Sequence, residues 1–447
     1  MSAAPAGRLT AELLLDELSA EERTRAERVE SVLPALRDAA AEADRLAEFP
    51  MAHVRTLGDA GLLGLPVPAE YGGLGGSLRD LAAATFAMGT ACPSTALAYF
   101  FQCSSASRGL LPLAAIEAGL FSDDDVPVVR AFAEKILRRL GTERRWMANF
   151  ASESAKSETA AITISTRATA TTRDGVEGWV LDGVKSFGCA TGVADDYLVS
   201  AMVGDGTTAA DLGTFVVPRD APGVSERARW DAIGMRASAT HGIVLDGVFV
   251  PATEALTVPG AFVKMTQVSR GSFVGSQLAG TAVYLGAARA LYDWTIAHLS
   301  ATTFADTGRP IGTAPFQQQL IGEMTMHLET ATAWLRRQIE LEASDPPLRP
   351  KDEVVRQWRI AKGTIAESAF AVATCALKAS GTSNTGNSGM VARSLRDLSM
   401  GLVQAFPPER GRLEAAASIV GPGESTSFGA AAAGAGSGAA GTPMPNT

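Results

Sequence analysis

The chain has 447 residues, 46% of them apolar and 19% charged, with a formal net charge of -9. That length and composition suit a globular protein of one large or two to three ordinary domains, and the acidic balance disfavours nucleic-acid binding as its main role. The leucines of MSAAPAGRLTAELLLDELSAEER are interrupted by acids at helical spacing, unlike a secretory leader, and no run of about 18 uncharged apolar residues suits a bilayer, so the expected setting is cytoplasmic, with no membrane partner.

From about residue 8 to 135 apolar positions recur at three and four, predicting helices broken by the Pro- and Gly-rich stretch GLPVPAEYGGLGGS at 64–77. From about 145 to 255 the texture changes to short β-branched or aromatic segments separated by Gly, Asp and Pro, with hairpin turns expected at 173–175 and 205–208. Helical spacing returns in four long blocks from about 262 to 406, enough for a four-helix bundle. The expected organisation is α+β: an N-terminal helical domain over 1–140, a β-domain over 141–260, a bundle over 261–420, and a tail over 421–447 too poor in large side chains to order.

Cys92, Cys103, Cys189 and Cys375 are too scattered for a zinc site or disulfide framework, and His53, His241, His298 and His327 form no paired-ligand pattern, so no metal centre is expected. In GVKSFGCATG a strand would alternate its side chains, setting Phe187 and Cys189 on one face. GMRASATHG places Arg236, Ser238 and Thr240 at alternating positions, a pattern shared by a cavity wall and a solvated edge strand.

The strings VPAEYGGLGGS, LDGVKSFGCATGVADDYLV, IGMRASATHGIVLDGVFVP and RSLRDL, in this order and spacing, resemble the acyl-CoA dehydrogenase superfamily over about residues 20–420. The resemblance implies that family's fold and a flavin, FAD or FMN. In the family a bulky residue at the Phe187 position covers part of the isoalloxazine, and a Ser or Thr at the Cys189 position addresses N5; a thiol is a weaker donor. An arginine preceding Thr-Phe-Gly near the flavin pyrophosphate is replaced here by Ala301 while Phe304 is retained, which weakens the case for tightly held FAD and admits FMN or a flavin exchanged between proteins. Gly381 and Thr382 match a turn close to a partner subunit's flavin, so a homodimer or homotetramer is implied. Arg236, Ser238 and Arg270 fall in the substrate neighbourhood.

Two family positions for the glutamate that abstracts the substrate's α-proton are empty of a base. One falls on Ala405, beside Gln404; the other falls on Ser269, immediately before Arg270. Glu153, Glu158, Glu323 and Glu409 match neither pattern and read as surface or capping charges. The chain is therefore similar to the flavin-dependent monooxygenase branch, dibenzothiophene-type or amine- and sugar-N-hydroxylating, which takes reduced flavin from a separate reductase and oxygenates a small molecule with dioxygen. Gln404 stands where several of those enzymes carry histidine, and Gln102 is a second amide expected to reach the cavity. With Ser269 these two form the expected catalytic set. Two alternatives stand beside this reading: an atypical acyl-CoA or acyl-carrier-protein dehydrogenase or oxidase with a relocated base, and a non-catalytic flavin-binding or scaffold protein.

Overall fold

The computed structural model describes residues 8–154, 163–269, 277–404 and 406–421. Its first part is helical: α1 (Ala20–Leu46), α2 (Met51–Asp59), α3 (Leu78–Ala91), α4 (Pro93–Ser104), α5 (Ser107–Glu117) and α6 (Val126–Gly141). Local chemistry sets these boundaries. Ser19 and Ser77 open α1 and α3 with capping boxes closed by Glu22 and Asp80, and Pro93 starts α4 where its missing N–H costs nothing.

Among the described residues eight strands follow in one sheet: β1 (Met147–Phe150), β2 (Arg167–Arg173), β3 (Val176–Gly188), β4 (Asp196–Val203), β5 (Leu212–Pro218), β6 (Val224–Glu226), β7 (His241–Pro251) and β8 (Ala255–Leu256). Their order is β6-β7-β3-β2-β4-β5-β8, with β1 and β2 pairing in parallel along different stretches of β4. The β2–β3 hairpin turns at Asp174 and Gly175, both at positive φ, as a two-residue Asp-Gly turn requires. Residues 227–240 form a loop in which Met235 and Ala239 adopt left-handed backbone, and β7 starts at His241, where the segment HGIVLDGVFVP was expected to be a strand. The alternation of Arg236, Ser238 and Thr240 is thus no strand periodicity.

The remainder is helical: α7 (Ala261–Val268), α8 (Gln277–Ala301), α9 (Pro315–Ala343), α10 (Lys351–Ser380), α11 (Met390–Gly401) and α12 (Pro408–Val420). The α10 helix is long and apolar enough to cross a membrane, yet 61% of its most apolar window is buried, against α8, α9, α11 and α12. The first helices lock onto the bundle where α3 meets α8. A Cβ on Gly89 would lie 2.5 Å from the Val283 carbonyl oxygen, and one on Gly286 would lie 2.1 Å from that of Phe86. Only glycine allows that approach. The expected tail at 421–447 lies, beyond Gly421, outside the described residues.

Candidate active site

Just past the end of β3, Cys189 comes near Tyr284 of α8 and the loop at 234–235 touches α11, and the sheet's register breaks at this point. A bulge between Lys185 and Gly188 shifts the β3–β7 pairing, the strand ends at Gly188, and Ala190 turns left-handed. Phe187 and Cys189 therefore do not share a face as simple alternation predicts. Phe187 is 54% exposed, edge-on to Trp230 with ring centroids 5.5 Å apart, whereas Cys189 is buried.

Behind Cys189 runs a chain of polar contacts. Its Sγ lies 3.0 Å from Thr240 Oγ1, which lies 2.6 Å from Ser238 Oγ; Ser238 donates to the Met235 carbonyl at 2.8 Å. The Met235 N–H in turn donates to Asp397 Oδ1 at 2.7 Å. The loop can press this close to α11 because residue 234 is glycine: a Cβ there would sit 2.1 Å from the Arg396 carbonyl oxygen. Burial pushes the Cys189 thiol up to about 12, so it is a neutral thiol. Burial likewise raises Asp397 to about 6, against the opposing pull of the Met235 N–H.

The second wall comes from α8 and the turn after α11. The Tyr284 hydroxyl donates to Gln404 Oε1, and Gly401 lies against the Tyr284 ring. Burial raises the Tyr284 phenol well above its ordinary value, with Cys189 and Asp397 close enough to add to the effect. Lys362, 3% exposed on α10, fixes this turn by donating Nζ to the carbonyls of Gly401 and Phe406. Its cation completes the C-terminus of α11, where unpaired carbonyls and the helix dipole both favour positive charge.

Several expected residues stand elsewhere. Gln102 does not present a free amide: Nε2 donates to Leu63 O and Arg145 O, each at 3.1 Å, and Oε1 accepts from Met147 N. It is a clamp on β1. Arg236 is engaged within the protein, with Nε donating to the Asp44 carbonyl at 3.0 Å, and Arg396 pairs with the Asp44 carboxylate. These two arginines clasp the end of α1. Ser238 is fully buried inside the polar chain. Ser269 donates to Thr266 O at 2.9 Å, and Arg270 lies outside the described residues. Phe304, Gly381 and Thr382 sit beyond the far end of α8, separated from Tyr284 by seventeen residues of helix, roughly 25 Å. Glu153 is no surface charge. Its carboxylate is 3% exposed and accepts from Lys185 Nζ at 2.6 Å and Thr166 Oγ1 at 2.7 Å. Burial opposes its ionisation, but these donors prevail and hold its pKa at about 2.

A separate cavity of about 260 Å³ lies between α3, α4, α5 and the end of α7, with Ser77, Ser104, Ser107, Ser269 and Glu342 in its wall. It is joined to the Cys189 neighbourhood through β1. Asn149 Nδ2 reaches Ser105 Oγ at 2.8 Å and Ser104 Oγ at 3.4 Å, while the ring of Phe150 fits directly against Gly188. Sequence reading missed Asn149, Tyr284 and Trp230 entirely. Asp397 was visible in RSLRDL, but its burial was not.

Family models described as the N-terminal, middle and C-terminal domains of acyl-CoA dehydrogenase match residues 19–114, 150–248 and 278–406. The chain belongs to the acyl-CoA dehydrogenase superfamily. Its relatives there are flavin-dependent oxidoreductases. L-evernosamine nitrososynthase of Micromonospora sp. is 33% identical over 272 residues, 61% of this chain and 60% of that protein's length. YdbM of Bacillus subtilis, named as an acyl-CoA dehydrogenase, is 27% identical over 389 residues, 86% of this chain and 93% of its own. Among solved structures, KijD3 in complex with FMN and a dTDP-linked amino-keto sugar is 26% identical. It superposes with a TM-score of 0.74, covering 94% of this superfamily member and 99% of KijD3.

Proposed function

We propose that this protein is a flavin-dependent monooxygenase acting on a small organic substrate, with reduced flavin supplied by a separate reductase in a cytoplasmic setting. The observation that carries the reading is the absence of a base where an acyl-CoA dehydrogenase needs one. The two positions hold Ala405 and Ser269, and the Ser269 hydroxyl is spent on Thr266 O. The likeness to a nitrososynthase and to KijD3 supports the same branch.

The residues present fit a flavin. The exposed ring of Phe187, with Trp230 and the 63%-exposed Ile233 nearby in the same loop region, offers an apolar face for a flat ring system. Phe187 and Trp230 would hold the isoalloxazine, and the Cys189 thiol would meet its polar edge. FMN suits the chain better than FAD, since Ala301 replaces a phosphate-binding arginine and KijD3 was solved with FMN. The bound flavin would supply oxygen activation in its reduced form.

This chain's own contribution is orientation and exclusion of water. Tyr284 holds Gln404 by its Oε1, so the group Gln404 would offer a ligand is its Nε2 amide, a donor. Glutamine cannot shuttle a proton, so protons come from another group or from solvent. Incubation with chemically reduced FMN, ¹⁸O₂ and a panel of amine, sulfide and aromatic substrates should yield product containing one labelled oxygen atom. Release of hydrogen peroxide alone across the panel would reject the reading.

A second reading has one observation of its own. Glu342 is a carboxylate in the wall of the 260 Å³ cavity that also holds Ser269, where a relocated dehydrogenase base would stand. Bleaching of bound flavin by an acyl thioester without oxygen or added reductant, abolished by Glu342→Gln, would establish that reading in place of the first.

A further inference from the structure

His241 opens β7 directly opposite Gly188, the residue between Phe187 and Cys189. Its half-buried ring accepts the backbone N–H of Trp230 on Nδ1 at 2.7 Å. Because an amide N–H can only donate, Nδ1 carries no proton in this contact; the ring is neutral, with its hydrogen on Nε2.

What this contact holds is a ring beside Phe187. Residues 225–229 are exposed, and so are Asp231 and Ile233 on the other side of Trp230. Within that stretch Trp230 is fixed by two hydrogen bonds, its backbone N–H to His241 and its indole Nε1–H to the Met235 carbonyl at 3.0 Å. The indole stands edge-on to Phe187, with ring centroids 5.5 Å apart. One of the two bonds therefore depends on an acceptor atom that is also a site of protonation. An imidazolium carries N–H at both nitrogens, so protonation sets a donor against a donor and releases the backbone of Trp230.

We propose that His241 is a positioning residue, which holds Trp230 against Phe187 through Nδ1 so that only its neutral ring completes the apolar wall for a flat ring ligand. This rests on the flavoprotein reading and adds a residue that acts on the flavin through Trp230. Burial lowers the His241 pKa from the ordinary 6.5, Glu226 on β6 pulls it up, and Arg229, in the loop with Trp230, pushes it down. On β3 the ring faces Gly188, and Lys185, three residues earlier, is paired with Glu153. The ring is thus neutral at pH 7. A group whose folded pKa lies below its unfolded one makes a contact that is complete above the unfolded value and lost as pH falls through the folded value. Ring binding should weaken in mildly acidic solution.

The test uses the full chain labelled with 5-fluorotryptophan, its Trp230 signal assigned through Trp230→Phe, and compares wild type, His241→Asn and His241→Ala from about pH 5 to 8. Asparagine offers an acceptor, Oδ1, near the place of Nδ1 and does not titrate. In wild type the Trp230 fluorine resonance should move in one acid step with its midpoint below 6.5. That step should vanish in His241→Asn, and in His241→Ala the resonance should keep its acid position throughout. FMN affinity of the same proteins, by fluorescence titration, should fall roughly three- to tenfold across the wild-type step, as one lost hydrogen bond supports. It should stay high and flat in His241→Asn and low in His241→Ala. A Trp230 signal that does not move with pH, or FMN bound by His241→Ala as tightly as by wild type, would overturn the proposal. Failure of the wild type to bind FMN at any pH, with the Trp230 step intact, would sink the flavoprotein reading and leave the hold of His241 on Trp230 standing.

Discussion

Cys189 shows how one substitution sets the character of the candidate site. A hydroxyl there would donate readily; a thiol raised to about 12 by burial donates weakly and is not a nucleophile. Native protein should therefore resist alkylation at Cys189 at pH 8, by mass spectrometry of iodoacetamide-treated samples, until it is unfolded. Cys189→Ser should keep the fold and shift the absorption maximum of bound flavin, because a stronger donor then meets the ring edge. Rapid alkylation of Cys189 in the folded protein would contradict the buried, neutral thiol. Gln102 teaches the converse. Its identity as a buried amide was readable, but its three backbone partners leave nothing to offer a ligand.

Among the elements, α11 and the loop before β7 are held together by Asp397. Its carboxyl is raised from an ordinary value near 3.8 to about 6. A group whose folded pKa lies above its unfolded one stabilises the fold most below the unfolded value, and that contribution disappears as pH rises through the folded value. Stability should therefore decline between about pH 4 and 6 by an amount on the order of 1–3 kcal/mol attributable to this group. Asp397→Asn, which still accepts from the Met235 N–H, should remove that decline in urea melts run across the window. Equal slopes for wild type and variant would assign the pH dependence elsewhere. The same element-level logic explains Glu153. A cation at position 185 was evident, but only the folded sheet places its Nζ within 2.6 Å of that carboxylate, where removing either partner strands a buried charge.

At the level of the whole molecule, the expected flavin ligands fall into two groups. Cys189, two residues after Phe187, lies near Tyr284, whereas Phe304, Gly381 and Thr382 lie beyond the other end of α8. A flavin ring seated on the first group reaches the second only if another copy of the chain presents its far end. We expect a homo-oligomer in which each pocket draws on two protomers. Phe187→Ala and Phe304→Ala should each reduce FMN affinity as pure proteins. Co-expressed and purified as mixed assemblies, they should regain about a quarter of the wild-type sites by fluorescence titration, as random pairing of two complementary defects requires. No recovery in verified mixed assemblies would show that each pocket is built within one chain.

The succession of helices, short strands and long helices was legible in the sequence because each rests on local physics: periodicity, capping residues and turn chemistry act over a few neighbours. The hairpin at Asp174-Gly175 and the caps at Ser19 and Ser77 are of that kind. The composite of the motif strings also carried the superfamily, since their order and spacing reflect the whole fold. Tertiary structure alone decided the rest. Strand alternation misplaced Cys189 because a bulge, not the residue pattern, turns the chain after Phe187. Arg236 went to Asp44 because whether a charge is paired depends on which distant segment arrives beside it. Side-chain chemistry is written residue by residue; burial and partnership are properties of the packed chain.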